Sequence, residues 1–437
     1  MARRNYRLEM LGACFLPFLL AVVDSAIVGV VVKNAYEPVV ERRTLDFVVA
    51  MLTASTAFAN IVSFVWVRAS HGKDKIRFIN ILQAIMLVLV ALIALAPRSE
   101  PGLWGIAAAV LAARFCWAGF VTIRSTIWRQ NYSRRVRARI TGKIAIVQTF
   151  MLALLGFGLG RALDEDPQLF RILLPIGCVL SAVGLWSWSR VRLRQGPALL
   201  AAERASADES DAPSINPVVM LRLLAADRPF AAYMLCMMLL GLGNLMQTPL
   251  LVVVLRDEFG MGYLGGIAVT NSIPLIMMPL SIPLWARLLD RTHVIRFRMI
   301  HSWSFVLASV LYALAVEFHE VWILHAASLA LGVGFGGGVL AWNLGHLDFA
   351  PPHKASQYMG VHMTLNGVRG LAAPFLSVGV YHLLQPVTSR AAALAFWLCL
   401  AFCAAGAIGF QIMGRRMRVP LNRHGEPIEV APPSRVQ

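Results

Sequence analysis

The chain has 437 residues, of which 58% are hydrophobic and only 14% charged, and its mean hydropathy is +0.66. That excludes an ordinary soluble domain, which carries about 25% charged residues. The formal charge of +17 does not point to nucleic acid, because the arginines fall between apolar runs, where they serve as topology signals.

Arg3, Arg4 and Arg7 precede an apolar run over 11–33, long enough to cross a hydrocarbon core of about 30 Å and longer than a cleaved signal requires. Runs of spanning length follow at 45–66, 78–97, 103–127, 143–161 and 170–190. Residues 191–228 are polar and rich in Ser and Pro, which predicts a linker with a short amphipathic helix at 218–225. Six further runs lie at 229–255, 262–286, 299–317, 321–346, 358–383 and 390–413, and a basic, Pro-rich tail closes the chain. The expected organisation is an all-α membrane protein of twelve spans. A six-helix bundle over 1–190 is joined by the linker 191–228 to a second over 229–414, with a tail at 415–437. Most of the 40 lysines and arginines sit in the termini, the linker and the connections on the linker's side of the bilayer. This bias predicts a plasma (cell inner) membrane protein with both termini cytoplasmic.

The two halves carry one repeated pattern. Trp66, Arg68, Ile76, Arg77 and Phe78 recur half a chain later, with the same spacing, as Trp285, Arg287, Ile295, Arg296 and Phe297. The 6 cysteines lie inside apolar runs and read as small buried residues, so no metal is expected, and no cofactor or enzyme signature is present.

A charge in the hydrocarbon region costs at least about 2.5–3.5 kcal/mol, so each is a functional candidate. Asp24, Arg114 and Arg369 fall near mid-depth of spans one, four and eleven, whereas Arg124 is close enough to an interface to snorkel. Asp24 and Arg114 are either a fixed structural pair or a proton site, since burial and a neighbouring cation move a carboxyl pKa in opposite directions. If Asp24 pairs with Arg114, Arg369 is a cation without a counter-charge, which favours an anionic or zwitterionic substrate. The alternative for Arg369 is that it turns to backbone carbonyls. In span seven, Asn244 and Gln247 either line a cavity or pack between helices. Tyr358, His362, Asn366 and Arg369 form a polar stripe on span eleven, matched on span two by Thr53, Thr56, Asn60 and Ser63. Trp117, Trp342 and Asn343 are further cavity candidates, and His346 is a gate candidate at the end of span ten.

Twelve spans divided by a linker, with basic connections after spans two and eight, resemble the major facilitator superfamily. In the second such connection Asp290 and Arg291 match the family's Asp-Arg pair, with Ala286 and His293 at its glycine positions. The first connection has Ser70 and His71 at the pair, followed by the basic stretch of Gly72, Lys73, Lys75 and Arg77. Arg114 to Gly119 resembles the Arg-and-Gly motif of proton-coupled members. The resemblance implies a monomeric secondary transporter of a small solute, driven by a proton or other ion gradient. Its cavity is then lined mainly by spans one, four, seven and ten, and spans two, five, eight and eleven form the moving interface. Interface and gating roles fall to Thr53, Thr56, Asn60, Tyr358, His362, Asn366, Asp290 and Arg291. Efflux of a drug-like or neutral solute is an alternative substrate class. A receptor or scaffold of the same fold, marked by a plugged cavity, is the rival function.

Overall fold

A computed structural model of the protein describes residues 1–61, 64–132, 134–205, 217–350 and 355–416, and every regular element among them is a helix. Ten helices are long and apolar enough to cross a membrane, and the bent pair Ala2–Phe15 and Pro17–Val23 supplies an eleventh crossing. The twelfth, span two, comprises Arg42–Ile61 and Phe64–Ser70. Its hydropathy is diluted by Arg42, Arg43, Asp46 and a run of small hydroxyl residues.

Span one begins at Ala2 rather than near residue 11, and it is broken twice. A bend of 41° lies at Leu16, before Pro17, and the chain breaks again at Asp24, after which Ser25–Tyr36 continues. Pro17 opens its helix at a position where the missing N–H costs nothing. Spans three to six are Lys75–Ile93, Glu100–Asn131, Arg134–Glu165 and Phe170–Ser189. The linker carries Gly196–Ala205 as well as the expected amphipathic helix, Pro217–Ala226. Span seven is Arg228–Asp257. Span eight runs from Tyr263 to Arg291 and includes a π-helical turn at Ala268–Ser272. Val294–Phe318, Val321–Leu344, Ala355–Leu384 and Ala391–Arg416 complete the set.

Packing within each half repeats with a shift of six spans. In the first half span one packs on two, five and six, span four on two and three, and span three on six. In the second half span seven packs on eleven and twelve, span ten on eight and nine, and span nine on twelve. One apolar core lies within the first bundle, and the other fills the second bundle and reaches across to Ala21, Ile27, Val30, Val49 and Ala50 of spans one and two. The two bundles meet through span two against eleven and span five against eight.

The repeated sequence pattern has a structural meaning beyond its charge. Trp66 donates its indole N–H to the Phe115 carbonyl at 2.8 Å, tying span two to span four. Trp285 makes the same 2.8 Å bond to Val333, tying span eight to span ten. Each indole meets the repeated phenylalanine edge-on, with ring centroids 6.2 Å apart for Trp66 and Phe78 and 5.7 Å for Trp285 and Phe297. A glycine leaves room for each ring. A Cβ on Gly119 would stand 2.8 Å from Trp66, and one on Gly337 would stand 2.9 Å from Trp285. Without a hydrophobic drive between helices in lipid, such close seats and interhelical hydrogen bonds are what hold a bundle together.

Candidate functional site

Asp24 sits in the second break of span one. Its backbone is extended (φ −65°, ψ 127°), and its Oδ1 accepts from the amides of Ala26 and Ile27 at 3.2 and 3.4 Å, capping Ser25–Tyr36. The same oxygen accepts a 2.8 Å bond from Nδ2 of Asn271, which belongs to the π-helical turn of span eight. Its Oδ2 lies 3.5 Å from Nη2 of the buried Arg114 on span four. One carboxylate therefore touches a cation of its own bundle, a helix N-terminus and an amide of the opposite bundle. Each of the three presents a donor or a positive end to the carboxylate.

The second bundle holds a different centre. A cavity of about 300 Å³ is lined by spans seven to eleven, and its polar rim is Asn244, Arg298, Asn366 and Arg369, with Trp342 and Phe335 among the apolar walls. Arg369 is buried. It donates through Nη1 to the Met237 carbonyl and through Nη2 to Asn366 Oδ1 at 2.8 Å, while its Nε has no partner. Gly241 makes the approach to span seven possible, because a side chain there would overlap the guanidinium. Arg298, also buried, lies 3.1 Å from His301 Nδ1, and His301 Nε2 lies 2.8 Å from the Gly334 carbonyl. A carbonyl only accepts, so Nε2 carries the proton and Nδ1 accepts from Arg298. Both guanidiniums are thus positioned by neutral groups. No acidic residue lines the cavity among the described residues.

This arrangement departs from the family-implied cavity on spans one, four, seven and ten, since every lining residue comes from the second bundle. Asn244 lies in its wall, whereas Gln247 is packed inside the bundle with Nε2 bonded to Ser309 Oγ at 2.6 Å. Trp117 is also away from it, stacked on Phe120 at 4.7 Å with the Arg124 guanidinium 5.9 Å from its ring. Asn343 is exposed and bonds back to Val339.

The polar stripe of span eleven does not face span two. Tyr358 donates to Asp227 Oδ2 at 2.7 Å, His362 meets the Trp342 ring edge-on at 5.8 Å, and Asn366 and Arg369 turn to the cavity. Span two meets span eleven through small residues: a Cβ on Gly370 would stand 2.6 Å from Ala57, and Gly367 abuts Ile61. Thr53 bonds to the Ala50 carbonyl, and Thr56 is exposed. Ser63 and the side chains of Asn60 and Asp290 lie outside the described residues; Arg291 is exposed. At the end of span ten, burial pushes the His346 imidazole below its usual value.

A third polar group locks the bundles at the end opposite the linker. Lys33 of span one lies 2.6 Å from Asp46 of span two and 2.9 Å from Asp257 of span seven. Asp257 also holds Arg42 at 2.7 Å, Arg42 donates to Tyr381, and His382 lies 2.9 Å from Asp46. Arg256 pairs with Glu37 at 2.6 Å, and Asp164 accepts from the amides of Tyr263 and Leu264 at 2.7 and 3.0 Å.

Sequence reasoning missed Arg298, Asn271 and this lock. Arg298 reads as a charge of the connection before span nine, and Asn271 as one amide in an apolar run. Lys33 with Glu37, and Arg42 with Asp46, have the i, i+4 spacing of ordinary intrahelical pairs. The available signal was the cluster of both charge signs on three helix ends, Lys33, Asp46 and Asp257.

Residues 13–374 match the family model described as Major Facilitator Superfamily. No curated protein matches the sequence. Among solved structures, the nucleoside transporter NupG superposes with a TM-score of 0.66 at 14% identity, over 95% of this chain and 99% of that one. A D-xylose–proton symporter gives a TM-score of 0.69 at 11% identity, over 94% and 96%. A POT family transporter solved with a thioalcohol-conjugated peptide gives 0.66 at 13%, over 94% and 96%.

Proposed function

The chain belongs to the major facilitator superfamily, and on that premise we propose that it is a proton-coupled secondary transporter of a small solute, working by alternating access between its two bundles. The multi-pass chain lies in the cell's inner membrane with the linker and both termini cytoplasmic, an orientation that rests on the distribution of lysine and arginine. The end locked by Lys33, Asp46 and Asp257 then faces outward. The structures of like fold are a nucleoside transporter, a D-xylose–proton symporter and a POT family transporter bound to a conjugated peptide, so the fold alone does not select the solute.

One observation carries the coupling: Asp24 is bonded at once to Arg114 in its own bundle and to Asn271 in the other. Opening the outer side separates spans one and eight and withdraws the Asn271 donor, so the carboxylate loses a hydrogen bond to its charged form and a proton takes its place. Closing returns Asn271 and releases the proton inward. The two ends of the cycle thereby differ in charge as well as in shape. The open cavity of about 300 Å³ supports transport over the receptor or scaffold reading, whose mark is a plugged cavity.

The test uses proteoliposomes and a solute found by thermal-stabilisation screening. Asp24→Asn keeps the shape and removes the titration, so uphill uptake driven by a proton gradient is expected to vanish while solute exchange at equal pH continues. Unchanged uphill uptake in the variant rejects the role.

A further inference from the structure

The cavity of the second bundle contains two buried cations and no acid, and that imbalance identifies what it binds. Arg369 and Arg298 project into one space from spans eleven and nine, and every polar group holding them is neutral: the Met237 carbonyl, Asn366 and His301. Two like charges facing one desolvated space are costly unless an anion enters it. Each guanidinium retains an Nε without a partner, and Asn244 Oδ1 on the cavity wall is also unpaired. Trp342, Phe335 and Phe305 give the same cavity an aromatic lining. The volume, about 300 Å³, lies at the small end of ordinary ligand sites, roughly 300–1,000 Å³.

We propose that this cavity is the anion subsite of the transporter and that it takes a small organic anion, with a carboxylate or phosphate held between Arg298 and Arg369 and a flat apolar body against Trp342 and Phe335. Guanidinium matches either oxyanion bidentately, which sets the sign of the substrate, and the aromatic wall sets its shape. The Asn244 carbonyl oxygen accepts a hydroxyl or N–H on the substrate body. Only the word substrate depends on the transport reading; binding itself is independent of it.

The experiment is equilibrium binding to the full chain in phosphatidylcholine nanodiscs, using four probes with the same ring: benzoate, phenyl phosphate, benzyl alcohol and benzylamine. Saturable binding of benzoate or phenyl phosphate is expected, with the neutral and cationic probes weaker by about tenfold or more. Arg369→Gln and Arg298→Gln are each expected to lose at least about tenfold in anion affinity, and Arg298→Lys to retain part of it. Gly338→Leu fills the cavity without replacing either arginine, since a Cβ there meets only Phe305 at 3.4 Å, and it is expected to abolish binding even if an arginine variant misfolds. Equal affinity for benzyl alcohol, a preference for benzylamine, or wild-type anion binding in the glutamine variants overturns the proposal. So does stabilisation that depends on both arginines and appears only when phosphatidylglycerol is added, which assigns the site to a lipid headgroup. Binding that persists in Asp24→Asn without uphill transport supports the subsite, so the two readings fail separately.

Discussion

The mid-depth centres of the two bundles are built on one scaffold and solve the problem of a buried charge in opposite ways. In the first bundle Asp24 and Arg114 neutralise each other, and the pair is anchored by a helix N-terminus and by Asn271. In the second, Arg298 and Arg369 share a cavity with no acid in its wall. Away from these centres one seat repeats closely, with Trp66 and Trp285 making equivalent bonds of 2.8 Å against equivalent glycines. What the halves share is packing, and where they differ is chemistry. On the functions proposed above, the neutral centre changes protonation and the charged one receives an anion.

The comparison breaks most visibly if each centre loses one charge. Asp24→Ala takes the carboxylate away from Arg114 and removes a helix cap. It should destabilise the protein by about 3 kcal/mol, the low end for a broken buried pair because Asp24 keeps partial access to water. Arg369→Gln removes a charge that has no acidic partner and should leave unliganded stability unchanged or raise it by about 1 kcal/mol. Reversible unfolding in mixed micelles measures both, and equal losses in the two variants contradict that difference between the bundles. The shared scaffold is tested by Gly119→Val, which presses a side chain onto Leu82 and the Trp66 ring, and Gly337→Val, which presses one onto His301 and the Trp285 ring. Each should cost about 1–3 kcal/mol, with the two values close to each other, and a large disparity denies the equivalence of the seats. The smallest effect is expected at the far-end lock, where Asp164→Asn weakens the bonds to the Tyr263 and Leu264 amides by about 1 kcal/mol. Spin labels on the two bundles at that end should then report a several-fold larger separated population.

The helical plan was legible because hydropathy and length decide it. Asp24, Arg114 and Arg369 stood out because charge in an apolar run is costly wherever it occurs. Which of them compensate one another was not legible. That depends on Arg298 reaching inward from a helix end and on Asn271 being aimed across the interface, and both are settled by tertiary packing. Nor did the stripe on span eleven reveal its direction: Gly367 and Gly370 claimed the contact with span two and turned the polar face toward span seven and the cavity. Asp24 followed by Ser25 is a recognisable cap sequence, but the apolar stretches on either side of it masked the break as one continuous run.

The π-helical turn at Ala268–Ser272 is what aims Asn271 at Asp24 across the bundle interface. Such a turn is an α-helix carrying one surplus residue, and each residue turns the rest of its helix by about 100°. Excising a single residue from it would leave Trp285 in place while swinging Asn271 and the outer segment of span eight around the helix axis, away from Asp24. The link between acid and opposite bundle thus hangs on one surplus residue of this turn, and under the proposed coupling a one-residue deletion is expected to yield a folded protein in which solute movement and proton movement no longer share a step.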